Sequence, residues 1–343
     1  MGQSFQESAF LMPSVFSGRP RIEEVAPEVF RIDMCVPEAL GATNSYLFRA
    51  DGVDDFGRSL IVDVGTSQPE TKHLFDCALS DLGVAWEDVD AFITHFHWDH
   101  CAGLSRIYRQ GMTVYGGLDS FADRRAPIMG ARAIAKIERQ VSAAHGIVDD
   151  FDERYWEPMR DRGWGDVPLA RLHEGDELVV GRYRLEVLET PGHDMNHLCL
   201  IDRRTGLFVG GDQVMQDLYP SVLLESDADQ DAFYFETMER LSHLKSDLVL
   251  CGHGRECTDL SARCAQIVSH LERQLDDFLE MCGNGCTDPG ELAYLSTHRP
   301  RRTPWEERSV FGRCALLGQT MAFLKHFVAT GDLPDVYELT LLK

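Results

Sequence analysis

The spacing of apolar residues changes character three times along the chain, and each change predicts a different architecture. Short apolar runs broken by turn residues come first: Val29-Phe30-Arg31-Ile32-Asp33, Asn44 to Arg49, and Leu60-Ile61-Val62-Asp63-Val64 closed by Gly65. Runs of this length, rich in β-branched and aromatic residues, predict strands. Leu74, Cys77, Ala78 and Leu82 then recur at helical spacing behind Pro69, and Asp90-Ala91-Phe92-Ile93-Thr94 returns to strand before a histidine-rich loop. After the strand-like Val114-Tyr115-Gly116-Gly117, the stretch from about Phe121 to Pro168 interrupts this alternation. Ile134, Ile137, Val141 and Ala144 lie at helical intervals there, and Asp150 to Arg162 is charged and aromatic. A helical insertion is expected, either padding outside a sheet or a lid or dimer contact beside a site.

Strand patterns resume at Glu177-Leu178-Val179-Val180, Arg184 to Leu188, Leu198-Cys199-Leu200-Ile201, Gly206 to Gly210 and Leu248-Val249-Leu250-Cys251. Two β-rich halves of this kind predict a sandwich of sheets. From Thr258 the period becomes helical: Leu260, Cys264, Ile267, Leu271, Leu275 and Phe278 share one face, and the run stops at Gly283. Asp288-Pro289-Gly290-Glu291 supplies a helix cap, a proline at the first helical position and a glutamate at the third. A long helix is expected from about Trp305 to Ala329, ending at Gly331, and then a strand at Val336-Tyr337-Glu338-Leu339. The change at Thr258 divides the chain into a domain at 1–257 and a helical domain at 258–343, consistent with 343 residues.

Composition narrows the function. With 33 Lys+Arg against 56 Asp+Glu the formal charge is −23, which disfavours phosphate backbones and anionic lipid surfaces. The acidity is uneven: residues 258–343 hold 9 basic and 12 acidic side chains, a net of −3, leaving −20 on the rest. Arg299, Arg301 and Arg302 share one Pro-rich loop there, the one place to seek an anion contact, although an exposed loop salting against an acidic body explains them more simply. No apolar run is long enough to cross a bilayer, and the start lacks a basic, then apolar leader, so a cytoplasmic protein is expected. The 10 cysteines are irregularly spaced, which fits reduced, mostly buried thiols, and Cys282 and Cys286 read as a helix end and turn.

The chemistry concentrates in Thr94-His95-Phe96-His97-Trp98-Asp99-His100. Three imidazoles and a carboxylate leave a strand together, and histidines that merely fill a core do not cluster so. Imidazole nitrogen and carboxylate oxygen are the donors that zinc and similar ions accept, and alternate residues His95 and His97 share one side of an extended segment. Thr190-Pro191-Gly192-His193, Gly210-Gly211-Asp212 and Cys251-Gly252-His253-Gly254 each follow a strand, and glycine beside every one leaves room for close approach.

As a set these motifs resemble the metallo-β-lactamase superfamily, with its His-x-His-x-Asp-His, a distant His, an Asp and a final His, over about residues 22–257. The resemblance implies an α/β fold: an αββα sandwich of the metallo-β-lactamase type with the helical insertion outside it. Position by position it implies one metal on His95, His97 and His193, a second on Asp99, His100 and His253, Asp212 between them, and Asp63 orienting a ligand. The ions implied are two divalent metals, zinc first, with iron or manganese as alternatives. Cys101-Ala102-Gly103 and Asp194-Met195-Asn196-His197 depart from the family pattern but leave the ligands intact. His197 is then a candidate catalytic group or, more simply, a hydrogen-bonding group beside the ligands.

The tail, with His270 to Leu275, Cys286 to Leu292 and Ala322-Phe323-Leu324-Lys325, resembles the small winged-helix-like domain of the β-lactamase-like protein 2 group. That group implies hydrolysis of acyl thioesters or cleavage of single-strand RNA. The expected reaction is attack by a metal-bridging hydroxide, oriented by Asp99, on the carbonyl of an acyl thioester such as an acyl-CoA. A thiolate leaves readily, because thiols ionise near pH 8.5, so no strong general acid is required. The alternatives are a phosphodiester nuclease, supported only by the arginine loop, and a non-catalytic, metal-loaded sensor or scaffold. Trp98, Met215, Tyr219 and Tyr155 are candidate apolar walls for a small-molecule substrate, each more simply explained as core. A second copy of the chain is a candidate partner for the insertion.

Overall fold

The computed structural model describes residues 18–34, 42–50, 57–123, 131–147, 165–225, 227–286, 288–300 and 302–333. Its first sheet runs in the order β1 (Ile22–Ala26), β2 (Val29–Met34), β3 (Thr43–Phe48), β4 (Ser59–Val62), β5 (Val89–Phe92), β6 (Val114–Gly116) and β7 (Ala170–Arg171). Hairpins make β1 to β4 antiparallel, and crossovers make β4 to β7 parallel. The second sheet has the order β12, β11, β10, β9, β8, built from β8 (Glu177–Val180), β9 (Tyr183–Glu189), β10 (Leu198–Asp202), β11 (Leu207–Gly211) and β12 (Leu248–Cys251). Only its β11/β12 pair is parallel.

Alternation along each strand feeds two cores at once, as side chains that flip faces every residue must. Tyr46 and Phe48, Leu60 and Val62, and Phe92 meet Leu185, Val187, Leu198, Leu200 and Val209 between the sheets. Their neighbours Leu47, Ile61, Ala91 and Ile93 point the other way, onto α1 (Pro69–Leu82) through Leu74, Phe75, Ala78 and Leu79. The short helices α2 (Trp98–Cys101) and α3 (Leu104–Ile107) complete that layer. On the far sheet Cys199, Ile201, Phe208 and Val249 pack outward against helical residues. The layers are therefore helix, sheet, sheet, helix, the mixed α/β sandwich expected from sequence.

The insertion and the tail meet. Helix α4 (Ala131–Ala144) is the described part of the insertion, and α5 (Gln230–Ser242) precedes α6 (Leu260–Gly283), α7 (Pro289–Thr297) and α8 (Val310–Thr330). Val141 of α4 shares an apolar cluster with Ala293, Trp305, Leu316 and Leu317. Beneath it Arg313 Nε lies 2.8 Å from Glu138 Oε1, both side chains fully buried. The Ser142 hydroxyl donates to Glu138 Oε1 at 2.8 Å and accepts from Trp305 Nε1 at 3.0 Å. The core outside the second sheet also runs unbroken from β10 and β11 through α5 into α6 and α8.

The long last helix differs from expectation at its start. Trp305–Glu307 forms a separate single turn, and α8 begins only at Val310, because the Ser309 hydroxyl accepts from Gly312 N and caps it. The caps at Asp288, which accepts from Glu291 N, and at Gly331, in the left-handed region, stand where expected. Strands β1 and β7, too short or too polar to register as apolar runs, join the edges of the first sheet. The described cysteines are all free and mostly buried. The expected strand at 336–339, Tyr155 and Arg301 lie outside the described residues. Among the described residues no helix is long and apolar enough to cross a membrane.

Candidate metal centre

Every residue singled out as a ligand follows the end of a strand of one sheet or the other, in a loop or, for Asp99 and His100, in the short helix α2. β5 runs into Thr94 to His100, β9 into His193, β11 into Asp212 and β12 into His253. Two local features force the convergence. Gly192, at φ +143°, faces Tyr234, whose Cα would lie 2.6 Å from any added Cβ. At Gly252 a Cβ would run into Asp212 Oδ1 and the His100 ring, so only glycine lets β12 pass the cluster.

Two donor groups result. In the first, His97 Nδ1 lies 3.1 Å from both His95 Nε2 and His193 Nε2. In the second, Asp99 Oδ2 lies 3.7 Å from His100 Nε2 and 3.4 Å from His253 Nε2. Asp212 reaches both: its Oδ2 is 3.7 Å from His193 Nε2, 3.5 Å from His100 Nε2 and 3.4 Å from His253 Nε2. All are buried except His97, which is partly open to solvent.

Hydrogen bonds on the far side of each ring decide what faces inward. His193 Nδ1 is 2.7 Å from Ser221 O and His253 Nδ1 is 3.2 Å from Ala42 O. A carbonyl only accepts, so both rings donate from Nδ1 and turn Nε2 toward the cluster. The Thr94 hydroxyl donates to Asp63 at 2.8 Å and therefore accepts from His95 Nδ1 at 3.0 Å. His100 Nδ1 donates to Asp63 Oδ2 at 2.8 Å. His97 is reversed: Nε2 donates to Glu225 Oε1 at 3.1 Å, and Nδ1 points inward.

Rings held this way aim their inner nitrogens at one another, an arrangement that a shared cation satisfies. Ligand atoms about 2.0–2.1 Å from a shared tetrahedral ion sit about 3.3 Å apart, close to the observed spacing of the first group. His100 Nε2 and Asp212 Oδ1 are buried without a hydrogen-bond partner, the state of donors meant for an ion. The donor set thus fits divalent metal ions.

Electrostatics point the same way. Burial opposes charge on His253, but Asp212 and Asp99 outweigh it and lift the ring to about 10. His100 is raised well above its usual value, where Asp212, Asp99 and Asp63 overcome burial. Burial would raise Asp99, yet His100 and His253 hold it down at about 2, and Asp212 is likewise depressed by His253 and His100. Without a cation, the carboxylates take protons onto the second group's histidines as counter-charge. A divalent ion supplies that charge instead.

Asp63 holds φ at +54°, unusual for a residue other than glycine. Its carboxylate accepts from Thr94 N and Thr94 Oγ1 while bonding His100, so the surroundings fix that conformation and Asp63 serves both ends of the motif.

His197 is buried beside the first donor group. It stacks on His95 with ring centroids 5.1 Å apart, its Nδ1 lies 2.8 Å from Thr190 Oγ1, and burial, then His193, depresses it to about 3. Its Nε2 is buried without a hydrogen-bond partner. Among the candidate walls, Trp98 packs on the first sheet's helical layer, Met215 is buried in the second sheet's outer core, and Tyr219 is exposed, stacked on His270. Two arginines of the loop pair with α6: Arg299 with Glu280 at 2.9 Å and Arg302 with Asp277 at 3.1 Å. Glu225, Ser221 and Ala42 escaped sequence reasoning, since none sits in a motif.

This chain belongs to the metallo-β-lactamase superfamily, whose family model matches residues 39–253. The hydroxyacylglutathione hydrolase of Hahella chejuensis is 28% identical over 62% of this chain and 63% of its own length. The atrochrysone carboxyl ACP thioesterase AacuM of Aspergillus aculeatus is 22% identical, covering 76% of this chain and 67% of the relative. The β-lactamase-like protein 2 homologue of Drosophila melanogaster is 22% identical over 76% of each chain, a likeness the tail motifs anticipated. A β-lactamase domain protein from Burkholderia ambifaria shares the fold at a TM-score of 0.69, with 22% identity over 95% of this chain and 93% of that one. Family and relatives together indicate a metal-dependent hydrolase.

Proposed function

We propose that the protein hydrolyses acyl thioesters, an acyl-CoA being the first substrate to try, with two divalent cations, zinc foremost. One would be held by His95, His97 and His193, the other by Asp99, His100 and His253, with Asp212 shared. The observation that carries this reading is the single oxygen, Asp212 Oδ2, within 3.7 Å of ring nitrogens from both groups. When bound, such ions supply acidified water and polarisation of the scissile carbonyl.

The chain's own groups do the rest. Asp99, depressed to about 2, is a carboxylate at neutral pH and so accepts a hydrogen bond that orients the attacking water, whose proton passes to solvent. A C–O bond forms as the C–S bond breaks, and sulfur leaves as thiolate with the electron pair. A leaving group that ionises near pH 8.5 needs no protonation, which suits a site where, among the described residues, the five histidines of the donor groups face the cluster and His197 is buried against His95. A phosphodiester substrate has weaker support, because Arg299 and Arg302 already answer carboxylates of α6. The AacuM thioesterase name adds to the thioester reading.

The test is chromatographic detection of hydrolysis across short, long and aromatic acyl-CoA thioesters by the zinc-loaded protein, beside Asp212→Ala. Cleavage of one acyl class by the wild type alone is expected. No cleavage of any thioester by a protein shown to hold two ions would contradict the substrate assignment and turn attention to phosphodiesters.

A further inference from the structure

We propose that Glu225 is a positioning residue for the first donor group, setting the tautomer and basicity of His97 and thereby the affinity of the ion held there. The inference rests on the metal-site reading above. His97 is the odd member of its group: it turns Nδ1 inward where His95 and His193 turn Nε2, so its outward Nε2 must carry the proton. Glu225 Oε1 accepts that proton at 3.1 Å.

Asp194 is a second carboxylate whose oxygen lies near His97. Its Oδ2 accepts from Phe96 N at 3.1 Å and its Oδ1 from Asn196 N at 2.7 Å, which ties two loops together and leaves the ring to Glu225. Glu225 is itself held. Its backbone N–H donates to Gln230 Oε1 at 2.6 Å, and Gln230 Nε2 donates to Gly192 O at 3.4 Å, one residue before His193. The same loop supplies Ser221 O to His193 Nδ1. Residues 221–225 therefore form a strap behind the first group, with a neutral carbonyl on one ligand and a charge on another.

The charge matters because His95, His97 and His193 are all neutral donors, whereas the second group contains Asp99. A carboxylate behind a ligand imidazole makes it a stronger donor, and removing such a partner costs roughly 10–100-fold in metal affinity. Since Glu225 and His97 are both only partly buried, at 17% and 16% side-chain exposure, water can replace the lost acceptor and the fold need not fail.

Metal-free full-length wild type, Glu225→Gln and Glu225→Ala, each checked for native circular dichroism, would be titrated with Co2+ and with Zn2+ against a chromophoric chelator. The expected result is two ions per wild-type chain, a roughly 10–100-fold loss at one of them in Glu225→Ala, a smaller loss in Glu225→Gln, and no change at the other. In the Co2+ protein the hyperfine-shifted, exchangeable imidazole N–H of His97 should shift in Glu225→Gln and broaden through water exchange in Glu225→Ala. Folded Glu225→Ala with wild-type affinity at both ions and an unchanged N–H signal overturns the inference alone. A wild type that takes up no ion at His95, His97 and His193 overturns the metal-site reading, and the inference with it.

Discussion

Two of the places where charged side chains are buried in this protein are completed differently. Between the insertion and the tail, Arg313 and Glu138 meet at 2.8 Å, and Ser142 and Trp305 extend the network. There the chain supplies its own counter-charge. In the histidine cluster every ring has a partner on its outer nitrogen, yet on the inner side five ring nitrogens and the carboxylates of Asp99 and Asp212 face one another, a donor set that fits a cation. A buried charge completed by the chain marks architecture, whereas one completed on its outer side only marks a place for something the chain does not encode.

The largest effect that would break this contrast is at Asp212. Asp212→Ala should abolish hydrolysis and lower bound metal below two ions per chain, while thermal unfolding of the metal-free protein stays cooperative. Full turnover by that variant would remove the basis for treating the cluster as a metal centre.

At the insertion and tail the expected loss is of stability instead. Glu138→Ala strands the Arg313 guanidinium in the interior, and breaking a buried pair by removing one partner costs about 3–5 kcal/mol. Urea denaturation should register this, whereas the Glu138→Leu, Arg313→Met double variant should fall closer to wild type. Equal losses in the single and double variants would mean that packing, not charge, holds α4 to α8.

A smaller effect is expected where the chain orients a ligand. Asp63→Asn keeps an acceptor for one of its bonds but loses the charge behind His100, so metal affinity should fall roughly 10–100-fold, read by chelator competition. An unchanged affinity would separate the strained Asp63 from the metal site.

The smallest lies in the tail, at His270, which stacks on Tyr219 and is held down to about 4 by burial and then Arg302, Arg273 and Arg263. The unfolded ring, near 6.5, binds a proton that the folded ring refuses, so this histidine's contribution to stability is present above pH 6.5 and lost as pH falls toward 4. His270→Gln should flatten the stability profile between those limits. A profile as steep as that of wild type would assign the slope to other groups.

Much of this was legible in the sequence, for specific reasons. Strands such as Leu60–Val62 carry apolar residues on both faces because both are covered, and they stand out as continuous runs. Five of the seven expected ligands lie in motifs whose glycines or alternation hint at convergence, and the contiguous Thr94–His100 needs no tertiary information to look like a donor set. What faces a ring from outside was not legible. Ser221 and Ala42 act through backbone carbonyls, which leave no trace in residue identity, and Glu225 sits among ordinary acidic loop residues. Helical spacing in α4 gave its apolar face but not the surface it meets, so the insertion's attachment to α7 and α8 emerged only in three dimensions.

Metal content tests the central claim most directly. Wild type and Asp212→Ala, each stripped, reloaded with Zn2+ and desalted, would be assayed by inductively coupled plasma mass spectrometry alongside protein concentration. Two zinc ions per wild-type chain are expected, and fewer in the variant. One ion or none in the wild type, or two retained in both proteins, would contradict a dinuclear centre that shares Asp212.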